Sequence, residues 1–109
     1  MSDRALEGRQ SALDMMILKA LSAEDTHGWG VSQYIQRTSR DVLQITQGSL
    51  YPALHRLERD GFIRSEWRPS DNNRRAKYYS LTAAGRKQLG VERDQWLAFS
   101  QAVQRVMQA

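Results

Sequence analysis

Between Phe62 and Leu81, two strand-like runs, FIRSEWRP and AKYYSL, flank the turn cluster SDNNRR. Alternating residues around a Ser/Asp/Asn tip predict a β-hairpin. A lone hairpin is marginal in water and needs a packed partner. The rest of the chain carries helical periodicity, so the partner has to be helical. This restricts the fold to a mainly α, α+β arrangement with one ribbon.

The helical segments can be placed by their apolar spacing. In SALDMMILKALSA, Leu13, Met16, Ile17, Ala20 and Leu21 share one face, predicting a helix over 12–23. Ser11 is its expected N-cap, and Asp14 its acidic first turn. Met15 and Met16 point in different directions and read as packing. A second helix is expected over 29–38, with Val31, Tyr34 and Ile35 facing the first. His27, just before it and beside a glycine, reads as a turn or capping residue. Asp41 to Ile45 reads as a short extended connection. A third helix covers 47–60, where Leu50, Ala53, Leu54 and Leu57 form the apolar stripe and Gly61 ends the run. After the hairpin, Thr82 is a candidate N-cap for a last helix over 83–107. Three short helices followed by a two-stranded ribbon is the layout of a winged helix-turn-helix domain. The expected organisation is 1–81 for that domain, with 82–109 as a C-terminal dimerisation helix.

Several function classes are disfavoured by composition. With 109 residues and no cysteine, the chain offers little room for a large enzyme cleft and no thiolate chemistry. Two histidines without paired spacing make a metal site unexpected, and no nucleophile–base set or phosphate-binding glycine loop suggests catalysis or a cofactor. Tyr78 and Tyr79 alternate along a strand and read as packing. The start MSDRALEGRQ has no apolar signal core, and no window is long enough to span a membrane, so the cytoplasm is expected. The net charge is +4 and unevenly spread: residues 1–45 carry −1, 46–81 carry +3 and 82–109 carry +2. A basic excess that begins with the third helix suits a polyanion.

The third helix sharpens that reading. Its outward side gathers Gly48, Pro52, His55, Arg56 and Arg59, with Ser49 and Tyr51 at the flanks. In helix-turn-helix proteins the N-terminal residues of this helix approach base edges. Arg56 is suited to guanine or a phosphate, Ser49 to either, Tyr51 to a phosphate, and Arg59 to backbone positioning. Gly48 and Pro52 look like faults in a helix. A start at Ser49 would make the missing Pro52 N–H harmless, whereas a start at Thr46 would cost one bond to the Gly48 carbonyl. Either way both residues lie on the outward face. At the hairpin tip, Arg74, Arg75 and Lys77 place three cations within four residues, suited to phosphates or a narrow minor groove. The rival reading is a winged-helix protein-interaction module that does not touch DNA.

The segments LDMMILKAL, HGWGVSQYI, GSLYPALHRLERDGFI and NNRRAKYYSLTAAGRKQL resemble the PadR family of bacterial transcriptional regulators. The resemblance covers Leu13 to Leu89. Trp29 stands where the family's HGY pattern has tyrosine. The short tail resembles the subgroup with a single C-terminal helix. The resemblance implies a dimeric winged-helix regulator, usually a repressor, on a palindromic operator of double-stranded DNA. Some relatives release DNA on binding phenolic acids or aromatic drugs. It also implies DNA-facing roles for Ser49, Tyr51, Pro52, His55 and Arg56, with Arg74, Arg75 and Lys77 in the wing.

The last helix would be about 37 Å long at 1.5 Å per residue, more than the small domain can cover. Leu89, Trp96, Phe99, Val103 and Val106 follow near-heptad spacing, the pattern of a homodimer seam, and Glu92 interrupts it. Trp96 and Phe99 read as the core of that interface. Family members that sense flat aromatic drugs stack them on a tryptophan of this helix, so the two residues are also the candidate ligand contacts.

Overall fold

The computed structural model describes residues 8–70, 72 and 74–109, with side chains from residue 12 onward. The element order is α1 (Gly8–Ala23), β1 (Thr26–His27), α2 (Gly28–Thr38), α3 (Gln47–Arg59), β2 (Ile63–Pro69), β3 (Arg75–Leu81) and α4 (Ala83–Gln108). Helix α1 begins earlier than its apolar face suggested, so Ser11 lies inside it and does not cap it. Ile17, Ala20 and Leu21 are buried as expected, and so is Leu18. The reason is that α1 is enclosed on several sides, touching α2, α3, β3 and α4.

Helix α2 is capped by His27, whose Nδ1 accepts from the Gly30 N–H at 3.0 Å. It buries Val31 and Ile35 against α1 and α3. The connection to α3 is less extended than its sequence suggested. Arg40 and Asp41 adopt left-handed φ values of 55° and 65°, and the Asp41 N–H donates to the Gln36 carbonyl at 2.8 Å.

Helix α3 starts at the earlier of the two alternatives. Thr46 is the N-cap, and its Oγ1 accepts from the Ser49 N–H at 3.2 Å. Pro52 is therefore inside the helix and leaves the Gly48 carbonyl without its usual helical donor. Leu50, Ala53, Leu54 and Leu57 are buried. The helix ends in a Schellman motif: Phe62 N–H donates to the Leu57 carbonyl and Gly61 N–H to that of Glu58, both at 3.0 Å. Gly61, at φ 82°, supplies the left-handed residue this motif needs.

The hairpin forms as expected, from Ile63 opposite Leu81 to Pro69 opposite Arg75. Its sheet has a third strand that the sequence did not suggest. Thr26 pairs with Tyr79 and His27 with Tyr78, giving the order β1-β3-β2. A two-residue strand is too short to show any period. Ile63 and Tyr79 close the core from the sheet side.

Thr82 caps α4, its Oγ1 accepting from the Gly85 N–H at 3.0 Å. The root of α4 packs on α1, and its far part projects, giving the molecule extents of 56 × 29 × 22 Å. No helix among the described residues is long and apolar enough to cross a membrane.

Candidate nucleic-acid interface

The apolar stripe of α3 faces the core, so the opposite side must face solvent. Gln47, Gly48, Ser49, Tyr51, Pro52, His55 and Arg59 are all exposed. Ser49 sits at the capped end, where the Thr46 hydroxyl also donates to Ser49 Oγ at 3.2 Å. Tyr51 leans across to α2 and packs closely against Gly28, which has no side chain in its way. A Cβ there would lie 2.9 Å from the Tyr51 hydroxyl. Arg59 lies 3.4 Å from Asp60 in a solvent-exposed pair, which constrains it little.

Arg56 departs from the outward role expected of it. Its guanidinium is hydrogen-bonded to Asp14 on α1, and its side chain is 28% exposed. Burial raises the Asp14 pKa above its ordinary 3.8; Arg56 opposes that rise and Glu92 of α4 adds to it. Glu92, the residue that breaks the α4 seam, has one carboxylate oxygen fully buried. Its other oxygen accepts from Gln88 Nε2 of the same helix at 2.9 Å. Arg56 ties α3 to α1, so Arg56→Ala should cost on the order of 1–3 kcal/mol of stability by stripping a charged hydrogen-bond partner from Asp14. Urea denaturation would measure that loss.

The raised pKa has a definite sign in a pH series. Folded Asp14 keeps its proton at pH values where the unfolded residue has lost it. Stability from this group therefore rises as pH falls from the raised value towards 3.8. The difference between the wild type and Asp14→Asn, followed by urea denaturation across pH 3.5–7, should show that slope.

Besides its pairing with β1, the wing makes polar side-chain contacts with the body on both sides. Glu58 on α3 accepts from Ser65 Oγ at 2.5 Å and lies 3.5 Å from Lys77 Nζ. Lys77, expected in the basic tip, is therefore a strand residue turned towards α3, with its ammonium 5.7 Å from the Tyr79 ring. On the other side, Arg68 bridges Glu66 and Asp25, the latter at 3.4 Å, and lies over the Tyr78 ring at 5.2 Å. Arg74 and Arg75 remain exposed at the tip. Tyr79 has its pKa raised, chiefly by burial and further by Glu58 and Tyr51, which keeps it a neutral phenol.

Between α3, the start of α2 and the wing lies an open concavity of about 730 Å³. Tyr51 and His55 enter it from α3, His27 and Trp29 from the α2 start, and Trp67 and Tyr78 from the wing. Sequence reasoning named Tyr51, His55 and Lys77 for this region but missed Trp29, Trp67, His27 and Tyr78. The only available signal for Trp67 was a large aromatic on an otherwise polar strand.

On α4 the expected seam is divided. Leu89 packs against its own chain's core. Trp96 and Phe99 are half-buried, with ring centroids 5.8 Å apart. Val103 and Val106 are exposed, and so are Leu97 and Met107, which lie outside the expected seam.

Residues 17–91 match the model of the transcriptional regulator PadR-like family, and that span runs from α1 through the wing into α4. The chain belongs to the PadR family. It is 37% identical to the transcriptional regulator Rv3488 of Mycobacterium tuberculosis over 80% of this chain and 78% of that one. A transcriptional regulator from Clostridium thermocellum superposes with a TM-score of 0.80 at 26% identity, covering 88% of this chain and 93% of that one. A PadR-like transcriptional regulator from Bacillus cereus gives 0.73 at 26% identity, covering 92% and 95%. The winged-helix fold and a role as a transcriptional regulator rather than an enzyme follow.

Proposed function

We propose that this PadR-family regulator acts as a homodimeric repressor on a palindromic operator. The observation that carries this reading is the shared concavity, flanked by the exposed N-terminal half of α3 and by a wing that ends in Arg74 and Arg75. Ser49, Pro52 and His55 enter the major groove, where Pro52 offers a rigid apolar surface to a thymine methyl, and Tyr51 meets a phosphate beside it. Arg59 and the wing arginines contact phosphates, and Lys77 joins them where the strand meets α3. Arg56 holds α3 at its angle through Asp14.

The dimer forms through α4, whose Trp96, Phe99, Val103 and Val106 leave an apolar stripe for a second copy. Two α3 helices about 34 Å apart then match one turn of DNA. A planar aromatic effector stacks on Trp96 and Phe99 within that interface and releases the DNA. Gel shifts with the DNA upstream of the protein's own gene, over a series of salt concentrations, test the first part. A binding constant that falls steeply with salt supports it, and no binding to any duplex leaves the protein-interaction reading in its place. Light scattering tests the dimer. For the effector, a saturable quench of Trp96 by a flat dye, lost in Trp96→Ala, is expected.

A further inference from the structure

Two of the three tryptophans are solvent-exposed on the same concavity: Trp29 at 65% and Trp67 at 59%. Tryptophan brings one of the largest apolar surfaces of any side chain, and exposed aromatics gathered on one face mark a contact surface. Both stand beside other aromatic or basic residues. The Trp29 ring lies 6.3 Å from that of His27, which meets Tyr78 edge-on at 5.2 Å, and Tyr78 is covered by Arg68. His27 is in turn fixed by its bond to the Gly30 N–H. Trp67 stands opposite Lys77 in the hairpin register, so an indole and an ammonium share one rung of the wing.

We propose that Trp29 and Trp67 clamp one sugar–phosphate strand of duplex DNA as it crosses from α3 to the wing. This rests on the DNA-binding reading above and adds two contacts to it. A polyanion that touches Ser49 and His55 at one end and Arg74 and Arg75 at the other must pass over this concavity. Each indole can lay its face on a deoxyribose and donate its N–H to a phosphate oxygen. Lys77 supplies a cation within the slot. The slot is open along its side, which suits a continuing strand better than an enclosed small molecule. The clamp therefore gives DNA affinity a component that salt does not screen.

Binding is measured by fluorescence anisotropy on own-upstream and random duplexes over a salt series, with the full-length protein. Trp29→Ala and Trp67→Ala should each weaken binding by roughly tenfold or more in the dimer, as expected for two truncated tryptophan contacts. The dependence on salt should keep its slope, because no charge is removed. Trp29→Phe and Trp67→Phe should recover part of the loss, having kept a ring and lost the N–H. In a Trp96→Phe background, indole emission should change on adding DNA. Thermal melts establish that the variants fold, which their exposed positions favour.

Wild-type affinity in both alanine variants, with unchanged emission, would overturn the clamp while leaving DNA binding intact. Failure of the parent protein to bind any duplex would overturn both readings. A saturable quench of the Trp96→Phe protein by 2-naphthoate, with none by DNA, would assign the concavity to a small aromatic anion and overturn the clamp.

Discussion

Gly85→Ala is expected to lower the melting temperature by more than 10 °C. Gly85 is buried in the first turn of α4, and an added Cβ would lie 1.9 Å from the Phe62 carbonyl oxygen and 2.8 Å from Leu81 Cδ1. The Phe62 carbonyl, being backbone, cannot move easily. The Phe62 oxygen accepts from the Thr82 N–H at 3.1 Å, and the Thr82 hydroxyl donates to the Gly61 carbonyl at 2.7 Å. Phe62 itself is held by the Schellman closure of α3. Overpacking against a pinned backbone costs on the order of 3 kcal/mol, each corresponding to about 4–8 °C in a domain near this size.

The functional consequence follows from lever length. Helix α4 has 26 residues. A tilt of roughly 10° at its root would carry its far end about 7 Å, at 1.5 Å rise per residue. A variant that folds should therefore also lose affinity in the proposed α4 dimer. Gly90 provides the control, being in the same helix with nothing within 4 Å of a built Cβ. Gly90→Ala should stabilise the protein by up to about 1 kcal/mol, because alanine fits a helix interior better than glycine. Differential scanning calorimetry of the pair distinguishes a local clash from a general sensitivity of α4.

The second large effect is expected at the wing. Arg74→Ala combined with Arg75→Ala removes two exposed cations per chain, four in the proposed dimer. If each neutralises one phosphate, the slope of log K against log salt should flatten by about 0.9 per charge, or roughly 3–4 in all. At moderate salt, affinity for operator and random DNA should then fall together, by a hundredfold or more. Replacing Ser49 and His55 by alanine should reduce operator affinity while leaving random-duplex affinity and the salt slope nearly unchanged, since the proposed complex has these positions facing bases. Equal losses on both duplexes for the Ser49/His55 variant would show that α3 touches only the backbone.

Arg56 separates what was legible in the sequence from what was not. On a helical wheel it lies with Gly48, Pro52 and His55, and that angular placement is sound. Its long side chain nonetheless swings to the flank and meets Asp14, 42 positions away in sequence. Nothing in either local stretch specifies that meeting. Lys77 shows the same limit: its place beside the tip was evident, but its turn towards Glu58 depends on how the hairpin lies against α3. Leu89 fits a heptad by spacing and is used by its own chain's core.

The sequence alone determined the features that depend on residues within a turn or two of one another. These include the buried stripe of α3, the Gly61 stop, the caps at His27 and Thr82, and the position of the hairpin. Backbone geometry and apolar period act over about four residues, so a single chain carries them in plain view. Tertiary structure decided the Asp14–Arg56 tie, the two-residue strand beside β3, and the meeting of Trp29 with Trp67 in one concavity. Those outcomes depend on crossing angles and sheet register. Packing sets both across separations that no local period encodes.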